Sequence, residues 1–398
     1  MINKIILNLK FLLSRFIYSL NRREKNLWVF GEWNGERCCD NCLYFANYVA
    51  MTHSEIRLIW ITGVNRDMSI LNPNVKCIEM DSPEAICYLK KAGAVFMVHG
   101  MSDLTHRHFI YYSGAVIVNF WHGIPWKKIQ ADMYTFPIKK LYWKYLSKIT
   151  MGGSYLSTSE KFDNILQSAF ACNSRDIVKA GYPRNSLFYN ADLISSCKAK
   201  FIRYINSLGV DIDRNAFVIT YMPTFRDKDE NVFSIESLLN TNERLREFLK
   251  SNNAIIIQKS HFVSYHRNKI SDEVSDIFIQ IKDYPTQELL ASSDILITDY
   301  SSCFFDFLLL DRPIIHFLYD YEYYANDDRG LYYKKEDVAC GEVAENADEL
   351  VRAIENNLKD PQKYHELRKI RKNAYLEYES SLSCNQIFSR VKEMLESI

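Results

Sequence analysis

The chain has few glycines, and none of them form a recognisable phosphate-binding loop. Thirteen glycines are spread over 398 residues, and no G-x-G-x-x-G or G-x-x-x-x-G-K-[ST] pattern occurs among them. Dinucleotide and ATP phosphates are cradled by a backbone that needs such glycines. The sequence therefore argues against a dinucleotide-dependent oxidoreductase and against a P-loop kinase.

An excess of charge of one sign is also missing. Lys and Arg total 49, as do Asp and Glu, and no basic stripe with interleaved aromatic residues appears. A nucleic-acid partner is therefore not expected. Hydrophobic residues make up 47% and charged residues 25%, which excludes a disordered, collagenous or low-complexity chain. The length of 398 residues favours two domains over one.

The ten cysteines follow no disulfide framework. A chain of this length needs no covalent staples, so they are interpreted as reduced thiols of a cytoplasmic protein. The one cluster, Cys38 and Cys39 with Cys42, lacks a second ligand pair at zinc spacing. No metal site is predicted.

No apolar run at the N-terminus is long enough to cross a membrane. Charges at Lys4, Lys10 and Arg15 interrupt it, and they also argue against a signal peptide. At 100° per residue the apolar residues share one helical face: Ile2, Ile5, Ile6, Leu9, Leu12, Leu13, Phe16, Ile17 and Leu20. Residues 1–25 are therefore predicted as an amphipathic helix lying on an anionic membrane surface. The alternative is a helix packed on the protein's own core.

Short apolar runs alternate with helical stretches through most of the sequence. The first series is 27–30, 57–61, 75–79, 94–99 and 116–120, and the second is 217–221, 254–258, 277–279, 295–298 and 313–317. Such alternation is typical of parallel sheets covered by helices. We predict an α/β protein with two doubly wound Rossmann-like domains, 26–190 and 191–370, facing a ligand cleft, and a C-terminal helix over 371–398.

Two polar clusters follow strands of the first series. After the run 116–120 comes Trp121-His122-Gly123-Ile124-Pro125-Trp126-Lys127-Lys128. His122 is a candidate general base, and Lys127 and Lys128 suit an anionic substrate. Arg184, in Gly-Tyr-Pro-Arg-Asn, is a candidate phosphate ligand. The alternatives are a packed loop histidine and a solvent-facing arginine.

The second series has similar clusters at its strand ends. Thr224 and Arg226 follow the first strand, Lys259 and His261 the second, and Arg329 a later loop. The run 295–298 leads into Asp299, Ser301 and Ser302 at a helix start, where free N–H groups and hydroxyls favour phosphate. Asp299 is expected to orient a donor or to accept a bond from a sugar hydroxyl. The alternative interpretation of the serines is an ordinary N-cap.

These motifs, in this order, resemble those of the CDP-glycerol glycerophosphotransferases, the teichoic-acid primase and polymerase family. The resemblance spans about residues 29–332. It implies a GT-B-like enzyme, peripheral on the cytoplasmic face of the bacterial membrane. Such an enzyme moves glycerol phosphate, or ribitol phosphate in relatives, from a CDP-polyol to a polyprenyl-linked saccharide or polyol-phosphate acceptor. CMP is released during synthesis of teichoic acid, capsule or O-antigen. No cofactor is expected, although Mg²⁺ could assist.

The resemblance also implies roles for individual residues. His122 would be the base that activates the acceptor hydroxyl for in-line attack on the β-phosphorus, and His261 would support the phosphate. Ser301 and Ser302 would hold the diphosphate, with the arginines Arg226 and Arg329 near the nucleotide. The sequence departs from the family pattern at Ile124, Phe225, Phe262 and Ser186, none of which removes a titrating group.

Two rival functions share parts of this evidence. A GT-B glycosyltransferase with a nucleotide-sugar donor would have the same fold and membrane location, and the mass of its product would separate it. A non-catalytic scaffold of a polysaccharide assembly would be expected to have lost a histidine or the serine pair, and all of these are present.

Overall fold

The structure is a computed structural model that describes residues 2–63, 68–224, 233–259, 274–327 and 329–397. The chain divides into two compact units. The first comprises Met1–His122, Ile129–Ser186 and Tyr375–Ile398, and the second comprises Gly123–Lys128 and Leu187–Ala374. The chain therefore passes between the units four times.

The first unit is built on a seven-stranded parallel sheet with the order β3-β2-β1-β4-β5-β6-β7. The strands are β1 Glu24–Phe30, β2 Arg57–Thr62, β3 Val75–Glu79, β4 Ala92–Met97, β5 Val116–Asn119, β6 Ser154–Ser157 and β7 Ile177–Lys179. In β1, Leu27 and Val29 enter the core on one face. Trp28 and Phe30 contact aromatic rings, including Phe45 and Phe96, on the other. Burial of both faces explains the continuous apolar runs.

The second unit is built on a six-stranded parallel sheet with the order β10-β9-β8-β11-β12-β13. The strands are β8 Phe217–Met222, β9 Ala254–Lys259, β10 Phe278–Ile281, β11 Ile295–Thr298, β12 Ile314–Phe317 and β13 Glu342–Ala344. Ile219 and Ile256 belong to the core on one face of this sheet, and Val218 and Ile257 to the core on the other.

Helices connect the strands and supply the apolar faces that cover both sheets. Several begin at a side-chain cap, for example the helix Ala191–Ser207, where Asn190 accepts a bond from the Leu193 N–H. The helices are α1 Ile2–Ser19, α2 Asn41–Thr52, α3 Pro83–Lys91, α4 Pro137–Thr150, α5 Glu160–Phe170, α6 Ala191–Ser207, α7 Ile235–Thr241, α8 Glu243–Ser251, α9 Thr286–Ser292, α10 Cys303–Phe307, α11 Lys335–Val338, α12 Ala347–Lys359, α13 His365–Tyr375 and α14 Ser383–Glu396.

The α/β class and both strand series are confirmed, with differences at four places. Strands β6, β7 and β13 were not predicted, because all three are short and β6 begins and ends with serine. The predicted C-terminal helix is two helices, α13 and α14. Helix α14 belongs to the first unit, where the Phe388 ring lies 5.2 Å from Trp28.

Candidate active site

The loop after β5 holds His122 in a fixed backbone conformation. Trp121 adopts a left-handed conformation with φ of 54°, which is unfavourable for a residue with a side chain. Two buried amides hold it there. Asn119 accepts a bond from the Trp121 N–H at 2.8 Å, and Asn41 donates to the Trp121 carbonyl at 3.1 Å. Hydrogen bonds therefore hold Trp121 in this conformation.

The side chain of Arg184 supports the same loop. Its buried guanidinium donates to Asp40 at 2.7 Å and to the His122 carbonyl at 3.1 Å. Its backbone N–H donates to Asn41. The sequence predicted Arg184 as a phosphate ligand, whereas the structure places it in a buried ion pair that positions His122.

A second histidine lies against the first. His99 follows β4, the strand beside β5, and its ring lies nearly parallel to that of His122 with centroids 4.5 Å apart. The edge of Trp33 contacts His99, with centroids 4.6 Å apart. The sequence analysis missed His99. The signal was available, since both histidines follow neighbouring strands of one parallel sheet and must meet at its carboxyl edge.

Asp103 fixes the position of His99. Its buried carboxylate accepts bonds from the N–H groups of Val98 and His99, at 2.9 and 2.7 Å, and from Asn34 at 2.9 Å. The His99 Nδ1 lies 3.5 Å from Oδ1. Burial alone would raise the pKa of Asp103, but the interactions with His99 and the backbone N–H groups outweigh it and lower that pKa. Asp103 is therefore ionised at neutral pH.

The environment of His122 keeps its imidazole neutral. Burial, and secondarily the adjacent His99, lowers the pKa of His122 to about 3. Its Nδ1 lies 3.5 Å from the Val98 carbonyl oxygen, which can only accept a hydrogen bond. This contact favours the proton on Nδ1 and leaves the Nε2 lone pair available. At neutral pH the ring is therefore unprotonated, with Nε2 as its acceptor atom, and the burial that keeps it so also disfavours the imidazolium.

In the second unit, Asp299 and Thr224 join the carboxyl ends of β11 and β8. The buried Asp299 carboxylate accepts bonds from the Thr224 N–H, at 2.9 and 3.0 Å, and from its hydroxyl at 2.6 Å. Thr298 adds a bond to the Met222 carbonyl at 2.9 Å. Asp299 thus orients Thr224, one of the two roles expected for it.

Ser301 and Ser302 lie directly before α10, at the same edge of the sheet. Ser302 has a helical backbone conformation, and its side chain makes no capping hydrogen bond to α10. The ordinary N-cap interpretation therefore does not account for it. Behind the pair, the Tyr300 hydroxyl donates to Asp320, which follows β12, at 3.1 Å.

Lys127, Lys128 and Arg329 come together in a short antiparallel ribbon of the second unit. Lys127 pairs with Leu331, and the Lys128 N–H donates to the Gly330 carbonyl at 2.9 Å. The sequence placed both lysines in the first domain, on the acceptor side. The structure instead places residues 123–128 in the second unit with Arg329, so one motif contributes His122 to the first unit and cations to the second.

Three other predicted site residues have different outcomes. Lys259 ends β9 and donates to the Tyr284 carbonyl and the Thr286 hydroxyl, both at 2.6 Å, so it braces the following loop. Arg226 and His261 lie outside the described residues, and their roles stay predictions.

Within the described ranges, no group of three or more His, Cys, Asp or Glu side chains is placed to hold a metal ion. At the cysteine cluster, burial raises the pKa of the Cys38 and Cys42 thiols. Protonated thiols are poor metal ligands.

Two all-parallel sheets with helices, and polar clusters at their carboxyl edges, define a GT-B-like α/β protein. The chain belongs to the CDP-Glycerol:Poly(glycerophosphate) glycerophosphotransferase family, whose model matches residues 13–393. It is therefore a member of a transferase family, as the sequence motifs implied.

Named relatives agree with this assignment. The chain is 30% identical over 363 residues to a teichoic acid glycerol-phosphate transferase of Staphylococcus aureus, covering 87% of each protein. It is 28% identical to a teichoic acid poly(glycerol phosphate) polymerase of Bacillus spizizenii, covering 85% of each. The solved structure of the wall teichoic acid polymerase TagF matches the fold with a TM-score of 0.80 at 20% identity, covering 100% of this chain and 99% of that one.

Proposed function

We propose that this enzyme transfers glycerol phosphate from CDP-glycerol to a hydroxyl of a membrane-linked acceptor and releases CMP. The observation that carries the proposal is the neutral, positioned imidazole of His122 in a chain that matches a glycerophosphotransferase family over residues 13–393. The named relatives act in teichoic acid synthesis. The product is thus a glycerol-phosphate unit of a teichoic acid or a related surface polymer.

In the proposed reaction, Nε2 of His122 removes the proton of the acceptor hydroxyl. The acceptor oxygen forms a bond to the β-phosphorus of CDP-glycerol while the bond from that phosphorus to the bridging oxygen breaks. CMP leaves with the electron pair, and the proton later returns from His122 to solvent. The step needs positioning and charge and involves no covalent enzyme intermediate.

The phosphate oxygens need donors and positive charge. In the second unit Ser301 and Ser302 supply hydroxyls, and Lys127, Lys128 and Arg329 supply cations. The Thr224 hydroxyl donates its one proton to Asp299, so Thr224 does not donate to the phosphate. Asp299 and Lys259 act as positioning residues, because their described bonds go to Thr224 and to the Tyr284–Thr286 segment. Arg184 positions the His122 loop from the first unit.

We also propose that the enzyme docks on the cytoplasmic surface of the membrane through two helices of the first unit. No helix in the described part of the chain has the length and apolar character of a membrane span. Instead, α1 and α4 expose large apolar side chains: Leu9, Leu12, Leu13, Phe16, Ile17, Ile138, Leu141 and Tyr145. The two helices also contain seven basic residues and no acidic ones. This combination suits an in-plane helix on anionic lipid.

The proposal includes no resident cofactor. Cationic side chains neutralise the diphosphate in place of a metal. Turnover that persists in excess EDTA would support this part of the proposal, and loss that is restored by Mg²⁺ would contradict it.

The function is tested by incubating the purified chain with CDP-glycerol and a lipid-linked saccharide acceptor. We expect release of CMP and an increase in acceptor mass by one or more glycerol-phosphate units. CDP-ribitol in a parallel reaction tests the polyol. Mass increase by a sugar from a UDP- or CMP-sugar, with none from CDP-glycerol, would overturn the proposal in favour of a glycosyltransferase.

A further inference from the structure

We propose that a cavity in the first unit binds the phosphate of an anionic lipid headgroup. The cavity has a volume of about 340 Å³ and is bordered by Val116 and Ser154, the first residues of β5 and β6. It therefore lies at the amino edge of the sheet, whereas His122 follows the carboxyl end of β5. The inference rests on the proposed docking of α1 and α4 on a membrane.

Three cations from three different segments line this cavity. Arg15 comes from α1, Lys148 from α4, and Arg175 from the loop before β7. Nη1 of Arg15 donates to the Lys148 carbonyl at 2.9 Å, which ties the end of α4 to α1. That bond uses one of the five N–H donors of a guanidinium. The phosphate diester of an anionic lipid carries one negative charge that, unlike the phosphate of phosphatidylcholine, no headgroup cation neutralises, and it matches this donor set.

One carboxylate, Asp176, also lines the cavity. It accepts bonds from the backbone N–H and the side-chain amide of Asn173, at 3.1 and 2.8 Å, and lies 3.8 Å from Nε of Arg175. These donors offset its charge. The lining retains two net positive charges.

The wall of the cavity depends on a glycine. A Cβ placed at Gly152 would lie 2.0 Å from the Lys148 carbonyl oxygen, so no other residue fits without moving the end of α4. The close approach keeps the Arg15–Lys148 contact and the loop to β6 together. The cavity is therefore formed by the fold itself and not only by long surface side chains.

The neighbouring surface points to a lipid rather than a soluble anion. The same two helices that supply Arg15 and Lys148 expose Phe16 at 67% and Ile138 at 86% of their surfaces. An in-plane amphipathic helix lies at the boundary between headgroups and acyl chains. With α1 and α4 lying in the membrane interface, the basic cavity beside them would be at the depth of the lipid phosphates.

The test measures co-sedimentation with vesicles of phosphatidylcholine alone and of a three-to-one mixture with phosphatidylglycerol. Arg175→Gln removes a lining charge, and Cys172→Trp fills the cavity without changing charge. Lys139→Gln is the matched control, since it removes a charge from α4 outside the cavity. We expect both cavity variants to bind the mixed vesicles at least tenfold more weakly and neutral vesicles unchanged. For Lys139→Gln we expect a loss of roughly fivefold or less, the general effect of one basic residue.

Several outcomes would overturn the headgroup site. Cys172→Trp could bind mixed vesicles like the wild type, or Arg175→Gln could bind them no more weakly than Lys139→Gln. Inorganic phosphate could bind at the cavity while phosphatidylglycerol gives no gain over phosphatidylcholine. Thermal unfolding of each variant checks that it is folded, and Arg175→Gln serves if Cys172→Trp is not.

The same experiment separates this inference from the proposed function. Release of CMP with a soluble acceptor analogue should be unchanged in both cavity variants. If the wild type binds neither kind of vesicle, the membrane proposal fails and the headgroup site fails with it. If all variants bind mixed vesicles alike, only the headgroup site fails. If the wild type releases no CMP from CDP-glycerol, the transferase proposal alone is overturned.

Discussion

The rings of His99 and His122 lie 4.5 Å apart and within 21° of parallel, although 22 residues separate them in the chain. The contact follows from topology, because each histidine comes after one of two adjacent parallel strands. Asp103 holds the first histidine and Arg184 the backbone of the second. His122, the proposed general base, is thus one member of a supported pair.

Replacement of His122 by alanine should remove the base and leave the donor site intact. We expect kcat to fall by roughly 10²–10⁴-fold, the usual contribution of general-base catalysis. Binding of CDP-glycerol, measured by calorimetry, should change little. His106→Ala is the control, since His106 is an exposed histidine of the same unit. Normal turnover in His122→Ala would refute the assignment.

The pH dependence of kcat/KM should reflect the low pKa of His122. Acid protonates the imidazole and removes the base, so activity falls as pH falls through its pKa. Since that pKa is about 3, the loss due to His122 should not occur near 6.5, the value for an unperturbed histidine. We therefore expect kcat/KM of the wild type, measured from pH 5 to pH 8, to show no decrease toward acid pH that is due to His122. The pH profile of His122→Ala should have the same shape over this range. A limb centred near 6.5 that disappears in His122→Ala would contradict the buried environment.

Asp103→Asn should affect turnover more than substrate binding. In the wild type, backbone N–H groups donate to the Asp103 carboxylate. In the variant some of them face the amide NH₂ group, which is itself a donor, and this mismatch lowers the free energy of unfolding by about 1–3 kcal/mol. We expect kcat to drop about tenfold as His99 and His122 lose their alignment, with KM for CDP-glycerol within twofold of wild type. Asp163→Asn, at another buried aspartate of the same unit, controls for stability loss. Equal kcat in the two variants would show that Asp103 is only structural.

Removal of the two hydroxyls in Ser301→Ala with Ser302→Ala should weaken the donor site. Each lost hydrogen bond to a charged phosphate is worth about 1.5–3 kcal/mol, so the dissociation constant for CDP-glycerol should rise at least tenfold. Calorimetric titration measures it. Ser195→Ala with Ser196→Ala, an exposed pair on α6, is the matched control. Unchanged affinity would exclude the serines from the phosphate site.

Phe16→Ser should weaken membrane docking. Phe16 is largely exposed on α1, and its burial in the interface should contribute about 1.5–3 kcal/mol. Vesicle co-sedimentation should therefore fall roughly tenfold or more. Leu208→Ser, at an exposed leucine that follows α6, should have no effect. Equal sedimentation of Phe16→Ser and wild type would leave α1 without a membrane role.

The sequence was sufficient for the fold class because strands buried on both faces leave long apolar runs. It was insufficient for β6, β7 and β13, where three or four residues form a strand once a neighbouring strand supplies the hydrogen bonds. At the site, the pattern identified His122, Ser301 and Ser302 as residues after strands. It could not show that Arg184 forms an ion pair with Asp40, since those residues are 144 apart in sequence.

The sequence also could not show that residues 123–128 belong to the second unit. The pairing of Lys127 with Leu331 joins segments more than 200 residues apart, and neither segment has the apolar alternation of a strand. His99 is a different case. Its position after a strand was visible in the sequence, but a single histidine beside glycine carries no recognisable motif.

The absence of acidic residues from α1 and α4 has a consequence for the rest of the molecule. The whole chain is neutral, so the remainder carries 49 acidic against 42 basic side chains. An anionic bilayer attracts the two helices and repels that remainder. This uneven charge distribution would therefore orient the enzyme electrostatically as it approaches the membrane, with α1 and α4 facing the lipid.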